Sequence, residues 1–229
     1  MGHFTVFQLQ SKELKLLKLP KAPTSKTGNS TSRPGRPREF DHDVVLDKLM
    51  ETFWAHGYDA TSVSLLESKT GLAAPSLYAA FGNKQQLFQK SVERYREFTK
   101  PMHDNARKQP RSWLVAKHLL EGLVEFFTTV GNPKGCLVLL GAVSSGTSSE
   151  SIRNYLVDIR SKMVIDYAVR FERSIKEGDL PVDTDPYALA NYLITLDCGL
   201  ALQSKAGYSR ADLMKVVSLA LENWPSCDR

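Results

Sequence analysis

Apolar side chains recur at three- and four-residue steps from about residue 41 almost to the end of the chain. This spacing places them along one side of successive α-helices, and no alternating β-strand pattern competes with it. Pro and Gly residues divide the pattern into segments. The sequence predicts helices over residues 41–56, 62–69, 75–81, 84–107, 112–130, 135–145, 149–177, 186–206 and 209–224. We therefore expect an all-α fold.

Membrane and secreted proteins are disfavoured by the distribution of apolar residues. The most apolar run, residues 136–143, is much shorter than the roughly 20 residues that a membrane-spanning helix needs. The N-terminus lacks the uninterrupted apolar stretch and small-residue cleavage site of a secretory signal. We expect no association with a membrane and a cytoplasmic location.

The sequence gives no sign of a metal site, a cofactor or a catalytic centre. Cys136, Cys198 and Cys227 are widely spaced, and the five His residues are scattered, so neither a disulfide framework nor a zinc site is indicated. Walker, GxGxxG and GxSxG motifs are missing. We expect no metal, no cofactor and no enzymatic activity.

Positive charge is concentrated at the N-terminus. Among the first 40 residues Lys and Arg outnumber Glu by eight to two, whereas the whole chain has a net charge of +5. Residues 20–37 are dominated by Pro, Ser, Thr, Gly and Lys, a composition that cannot bury enough apolar surface to fold. We interpret residues 1–38 as a flexible basic arm. It is either a solubilising tail or a segment that touches nucleic-acid phosphates.

Two short helices on either side of Gly71 have the pattern of a helix-turn-helix. Thr61 or Ser62 can cap the first helix, and the spacing of Ser64 and Glu67 fits a capping box. The stretch from residue 70 to residue 83 contains no Asp or Glu that would repel phosphate. The segment favours DNA binding, although a helical hairpin inside a bundle has the same spacing.

The second of these helices, residues 75–81, has one face that can anchor it and other faces that can meet DNA. Leu77 and Phe81 are four residues apart and should point inward. Ser76, Tyr78 and Ala79 then lie where they could approach base edges. In a plain hairpin, Tyr78 would instead be a half-buried core residue.

This unit resembles the DNA-binding signature of a known family. GYDATSV at residues 57–63 and TGLAAPSLYAAFGNK at residues 70–84 closely resemble the signature of TetR/AcrR-family transcriptional regulators. The resemblance implies an all-helical homodimer of about nine helices, with an N-terminal helix-turn-helix DNA-binding domain and a C-terminal helical ligand-binding and dimerisation domain. We accordingly expect a basic arm over 1–38, a DNA-binding domain over 39–85 and an effector-binding and dimerisation domain over 86–229.

The residues expected to contact DNA come from the arm and the helix-turn-helix. Lys84 is included because its ammonium and the first amides of its helix would both attract phosphate. The full set is Arg36, Arg38, Thr61, Ser62, Ala74, Pro75, Ser76, Tyr78, Ala79 and Lys84.

Two positions depart from the family pattern. Glu67 stands where a small Ala usually lets the two short helices pack closely. Ala73 or Ala74 replaces the usual hydroxyl cap of the second helix, a loss of about 1 kcal/mol that Pro75 could partly offset.

Apolar stripes in the C-terminal two-thirds supply candidate effector and dimer contacts, although such stripes can also be ordinary core. The candidates for lining an effector cavity are Trp113, Phe126, Phe127, Cys136, Leu139, Met163 and Tyr167. The candidates for the dimer interface are Tyr192, Leu196, Leu200, Leu213, Val216, Val217 and Ala220.

Cys136 has two interpretations. It follows Gly135 and Lys134 and should lie in the first turn of a helix, where free amides and the nearby ammonium would lower the thiol pKa and make it reactive. A Gly-Cys-Leu segment near this place also resembles that of family members that sense electrophiles or oxidants. The alternative is a small buried residue that packs beside Leu137 and Leu140.

Taken together, these features predict a ligand-responsive DNA-binding regulator. Its partners would be a double-stranded DNA operator, a second copy of the chain and an unknown small-molecule effector, and binding of the effector would release the DNA. The alternative is a helical ligand-binding or scaffold protein with a degenerate DNA-binding unit, which the departures at Glu67 and Ala73 would favour.

Overall fold

The computed structural model describes residues 40–144 and 150–227, and its regular secondary structure in those ranges is entirely α-helical. The expected all-α fold is therefore confirmed. The basic arm, with Arg36 and Arg38, lies outside the described residues. The helices are α1 (His42–His56), α2 (Val63–Thr70), α3 (Ala74–Phe81), α4 (Lys84–Lys108), α5 (Ser112–Thr128), α6 (Leu137–Ser144), α7 (Glu150–Lys176), α8 (Pro186–Lys205) and α9 (Arg210–Glu222).

Polar caps set most of the helix starts where the sequence places them. The side chains of Asp41, Ser62, Asp185 and Ser209 accept hydrogen bonds from the first free amides of α1, α2, α8 and α9. The start of α6 differs from the expected residue 135. Gly135 has a φ of +81°, which is incompatible with a right-handed helix, so the helix begins two residues later.

Helix α4 joins the DNA-binding unit, which we define as α1–α3, to the C-terminal bundle α5–α9. It packs against α1, and it also contacts α5, α6 and α7. The junction is aromatic, because Trp54 of α1 lies edge-on to Tyr95 of α4 at 4.9 Å and stacks on Phe126 of α5 at 5.2 Å between ring centroids. The DNA-binding unit and the bundle therefore share one core.

A buried arginine closes the far end of α4. Arg170 of α7 donates to the backbone carbonyls of Arg107, Gln109 and Pro110 at 3.0, 2.6 and 3.1 Å. These are carbonyls that the end of a helix leaves without partners, and they carry the negative end of its dipole. The guanidinium therefore fixes the end of α4 onto α7.

Candidate DNA-binding surface and effector cavity

Helices α2 and α3 form a tight helix-turn-helix. Gly71 ends α2 in the left-handed conformation at φ +76°, which permits the sharp turn into α3. Leu66 of α2 and Leu77 and Phe81 of α3 are buried and hold the two helices against α1 and α4. The inward anchoring expected for α3 is thus present.

The opposite side of α3 is exposed and carries no charged side chain. Pro75, Ser76, Tyr78 and Ala79 are exposed, and Ala74 is half-buried. Tyr78 is 38% exposed, so it is not the core residue that a plain hairpin would require. The face combines hydroxyl groups and small side chains, which suits close approach to a groove of DNA.

Two residues before α2, both expected to contact DNA, differ in their exposure. Thr61 is fully buried, and its hydroxyl donates to the carbonyl of Gly57 at 2.5 Å. It therefore stabilises the turn between α1 and α2 and is not on the exposed face, contrary to expectation. Ser62 is exposed and caps α2 by accepting from the amide of Leu65 at 3.1 Å.

Lys84 lies at the start of α4 beside this face. Its ammonium sits 4.5 Å from the centroid of the Tyr58 ring, and partial burial lowers the Lys84 pKa. A capping box that the sequence interpretation missed fixes this helix start: Asn83 accepts from the amide of Gln86, and Gln86 accepts from the amide of Asn83.

The two departures from the family pattern compensate each other. Glu67 does not form a capping box with Ser64, because Ser62 is the N-cap of α2. Its Oε1 instead accepts from the amide of Ala74, at the start of α3, at 2.6 Å. Ala73, the N-cap of α3, makes no side-chain hydrogen bond. The carboxylate from α2 thus supplies the cap that Ala73 cannot, and the α3 start does not lack an acceptor.

We expect Glu67→Ala to lower the free energy of unfolding by about 1 kcal/mol, because the amide of Ala74 loses its acceptor. Ala73→Ser in the same chain should restore most of that loss, since a serine N-cap supplies the missing oxygen. Urea unfolding of the two single variants and the double variant gives the coupling between the sites. Strictly additive effects would show that Glu67 does not act as the cap of α3.

The chain enters the described region beside the end of α3. Phe40 stacks on His42 with ring centroids 4.8 Å apart, and its ring lies 6.3 Å from that of Phe81. The described chain therefore begins against the C-terminal end of α3.

A cavity of about 410 Å³ lies in the C-terminal bundle between α4, α5, α7 and α8. Its inner wall combines apolar side chains with a few polar ones, and charged residues of α4 and α7 surround the rest. It is lined by Glu93, Tyr95, Arg96, Glu97, Thr99, Lys100, Met102, His103, Arg107, Leu123, Cys136, Val138, Met163, Asp166 and Asp197. The mixture of apolar wall and few polar groups is typical of small-molecule sites.

Asp197 is the most unusual residue of this wall. Asp197 is 1% exposed, and its Oδ1 has no hydrogen-bond partner within the described part of the chain. Burial raises the pKa of this carboxyl to about 7. The sequence does contain a signal that our interpretation missed, since Asp197 is the only charged residue between Leu193 and Leu202.

Cys136 lines the cavity but is not activated. It directly precedes α6, is 8% exposed, and its thiol hydrogen-bonds with the Tyr95 hydroxyl. Burial, followed by the nearby Asp197, raises the pKa of its thiol to about 12. Of the two interpretations, the reactive thiol is contradicted and the small buried residue agrees with the structure, because burial beside a carboxyl outweighs the free amides of the helix start, while Lys134 is exposed to solvent.

Only part of the expected effector set lies on the cavity wall. Cys136 and Met163 line it, and Tyr167 lies buried behind it with its hydroxyl 3.0 Å from Nδ1 of His103. Trp113 is elsewhere and donates to the carbonyl of Leu221 at 3.1 Å. The others are buried in the core and do not reach the cavity: Phe126, Phe127 and Leu139. The apolar stripes missed the polar wall residues Tyr95, Thr99 and His103.

The expected dimer contacts divide into buried and exposed residues. Tyr192 and Val216 are exposed, and Leu196 is half-buried. The others are covered by their own chain and present no surface to a partner: Leu200, Leu213, Val217 and Ala220. The prediction was wrong for these four because an apolar stripe does not show whether it packs against its own bundle or against a second protomer. The same helices also expose Tyr187, Leu202 and Leu219, which the stripes did not include.

The hydrogen bond of Trp54 connects the DNA-binding unit to the cavity wall. Its Nε1 donates to the carbonyl of Gly135 at 2.6 Å, immediately before Cys136. A Cβ on Gly135 would lie 2.5 Å from Leu140 and 3.0 Å from the carbonyl oxygen of Ala201, so only glycine fits this close approach. The cavity wall and α1 are thus in direct contact.

The described ranges offer neither a membrane-spanning helix nor a cluster of metal ligands. None of their helices is both long and apolar enough to cross a membrane. Within 40–144 and 150–227, three or more potential metal ligands do not come together at any point.

Comparison with known proteins determines the family. Residues 45–90 match the model described as "Bacterial regulatory proteins, tetR family", and residues 116–218 match "Tetracyclin repressor-like, C-terminal domain". The HTH-type transcriptional repressor ComR of Escherichia coli (strain K12) is 30% identical over 206 residues, which cover 83% of this chain and 92% of ComR. This chain belongs to the TetR family.

Other TetR-family proteins agree over most of their length. The HTH-type transcriptional repressor BdcR of Escherichia coli (strain K12) is 26% identical over 190 residues, covering 82% of this chain and 91% of BdcR. The TetR-family regulator CifR, as a cysteine mutant complexed with 26bp double-strand operator DNA, superimposes with a TM-score of 0.79 at 36% identity. The match covers 83% of this chain and 100% of that one. This TetR-family chain is a DNA-binding transcriptional regulator.

Proposed function

We propose that this TetR-family regulator is a homodimeric repressor that binds an operator through α3 and is released by a small molecule in the α4–α8 cavity. The single observation that carries the DNA-binding part is the exposed, uncharged face of α3 on a capped and anchored helix-turn-helix. In this proposal residues 1–38 are the basic arm, 39–85 the DNA-binding domain and 86–229 the effector and dimerisation domain. The relatives named as repressors, ComR and BdcR, support the sign of the regulation.

Helix α3 docks in the major groove in this proposal. Ser76, Tyr78 and Ala79 face base edges or the adjacent backbone, while Ala74 and Pro75 allow close approach at the start of α3. Ser62 and Lys84 hold phosphates on either side. Arg36 and Arg38 of the basic arm add positive charge, which contributes affinity without base specificity.

A dimer is proposed because one DNA-binding unit covers only a half-site. Two-fold symmetric helix-turn-helix proteins place their recognition helices about 34 Å apart, one turn of the double helix. The exposed apolar side chains of α8 and α9, among them Tyr192, Leu202 and Leu219, supply a self-complementary surface for such a dimer.

The cavity can influence the DNA-binding unit through α4. Tyr95, Thr99 and His103 line the cavity, and the same helix starts at Lys84 next to the DNA-facing side. Trp54 adds a second route, because it binds the carbonyl of Gly135 next to Cys136. A ligand that requires a different position of α4 would favour a spacing of the two α3 helices that does not fit the operator.

The alternative of a degenerate DNA-binding unit loses its basis. It depended on Glu67 and Ala73. The Glu67 carboxylate accepts from the amide of Ala74, so the start of α3 is capped although Ala73 supplies no side-chain hydrogen bond. Catalysis is not part of the proposal, because the family and its named relatives are transcriptional regulators.

Lys84→Ala should weaken operator binding and lower the slope of log affinity against log salt by about one, because one phosphate contact is lost. Tyr78→Phe should weaken binding through loss of its hydroxyl contact. Fluorescence anisotropy titrations across a range of salt concentrations measure both effects. Lys205→Ala, which removes an equal charge at the end of α8, is the matched control. Indistinguishable affinities and slopes for the Lys84 and Lys205 variants would contradict the proposed docking.

A further inference from the structure

Asp197 faces the effector cavity without a positive partner. The titratable groups that interact electrostatically with Asp197 come from three helices and the segment before α6. None of them is basic: Tyr95, Cys136, Tyr167 and Cys198. The basic residues of the wall are on α4 and are engaged elsewhere or exposed. Lys100 and Arg107 both pair with Asp104, and Arg96 is exposed.

The neighbouring hydroxyl groups already have partners. The Tyr95 hydroxyl hydrogen-bonds with the Cys136 thiol, and the Tyr167 hydroxyl bonds to His103. A buried carboxyl without a partner costs a folded protein free energy, and such groups concentrate at sites that bind or react. The packing around Asp197 gives it no structural role that would offset this cost.

The chemistry of the wall points to the missing partner. Met102, Leu123, Val138 and Met163 form an apolar lining around the carboxyl, and the ring of Tyr95 stands beside it. An apolar body of modest size fits within about 410 Å³, and an ammonium group would meet both the carboxylate and an aromatic face. A neutral ligand would leave the only buried acid of the wall without a counter-charge.

We propose that the cavity binds a protonated organic amine with a compact apolar body, and that Asp197 is the residue that pairs with its ammonium. This proposal rests on the proposed use of the cavity as the effector site. The ammonium replaces the proton of the Asp197 carboxyl, so the buried acid gains a partner and the ligand is selected by charge as well as shape.

Calorimetric titration with 3-phenylpropylamine and its neutral analogue 3-phenylpropan-1-ol tests the proposal. At pH 8 the amine should bind the wild-type protein at least tenfold more tightly than the alcohol. Asp197→Asn should weaken amine binding at least tenfold and change alcohol binding by less than threefold. Asp158→Asn, which removes an exposed acid of α7 that does not line the cavity, is the matched control and should keep the preference for the amine.

A second readout does not depend on any variant. The amine stays protonated between pH 5.5 and 8, whereas Asp197 loses its proton near pH 7. His103, whose pKa is lowered to about 4, is neutral across this range, and burial raises the pKa values of Tyr95, Tyr167, Cys136 and Cys198. Amine affinity relative to the alcohol should therefore rise about tenfold per pH unit below pH 7 and level off above it.

Equal affinities of amine and alcohol for the wild-type protein, a flat pH profile, or a preference that survives in Asp197→Asn would each overturn the proposal. These measurements use the free protein and no DNA. Operator binding by the wild-type chain is measured separately, so failure of the proposed regulatory function and failure of the amine site give different results.

Discussion

Glutamate in place of both Leu202 and Leu219 should convert the proposed dimer to monomers and reduce operator affinity roughly a hundredfold or more. These side chains are 60% and 61% exposed in the single chain, on the outer faces of α8 and α9. Two like charges buried against their symmetry copies would lack partners, which strongly disfavours association. A monomer would then contact one half-site only.

Light scattering measures the mass, and anisotropy titration measures the affinity for DNA. Val130→Glu replaces an apolar residue that is 93% exposed in the loop after α5 and should change neither property. Far-UV circular dichroism shows whether the double variant stays folded. A folded double variant that remains dimeric would place the interface on another surface.

Asp197→Asn should stabilise the protein at pH 8 by roughly 4 kcal/mol and have little effect near pH 4. The pKa of this carboxyl is raised from 3.8 to about 7 by burial, so the folded state holds a proton that the unfolded chain releases. Stability from this group is therefore complete below about pH 4, declines as pH rises, and is lost above about pH 7. Asparagine has nearly the same shape and never becomes charged.

His103 changes the free energy of unfolding with pH in the opposite direction, so its contribution must be separated from that of Asp197. Burial lowers its pKa to about 4, so protonation of the unfolded chain below pH 6.5 reduces stability as pH falls. The informative quantity is the difference in unfolding free energy between Asp197→Asn and wild type, measured by urea denaturation from pH 4 to pH 8. A difference that stays constant with pH would mean that Asp197 is already ionised in the folded protein at low pH.

Local chemistry explains why so much of the fold was predictable. The ends of the helices depend on caps such as Asp41 and Ser62 and on glycines such as Gly71, and these act within a few residues of the chain. The inward positions of Leu77 and Phe81 follow from helical spacing alone. The helix-turn-helix could be recognised for the same reason.

The errors at the candidate sites arose from tertiary structure. Whether Leu200 and Val217 face their own bundle or a partner depends on how α8 and α9 rotate against the other helices, which spacing does not determine. The thiol pKa of Cys136 depends on burial beside Asp197, 61 positions away in the chain. The cap from Glu67 to Ala74 spans the turn between two helices, so no local rule includes it.

The central claim is specific, dimeric binding to an operator, and anisotropy titration of the full chain tests it directly. One labelled duplex carries the DNA upstream of the protein's own gene, and the other is a shuffled duplex of equal length and composition. We expect binding to the upstream duplex at least a thousandfold tighter at physiological salt, with two chains bound per duplex. Equal affinity for the two duplexes, or one chain per duplex, would contradict the account.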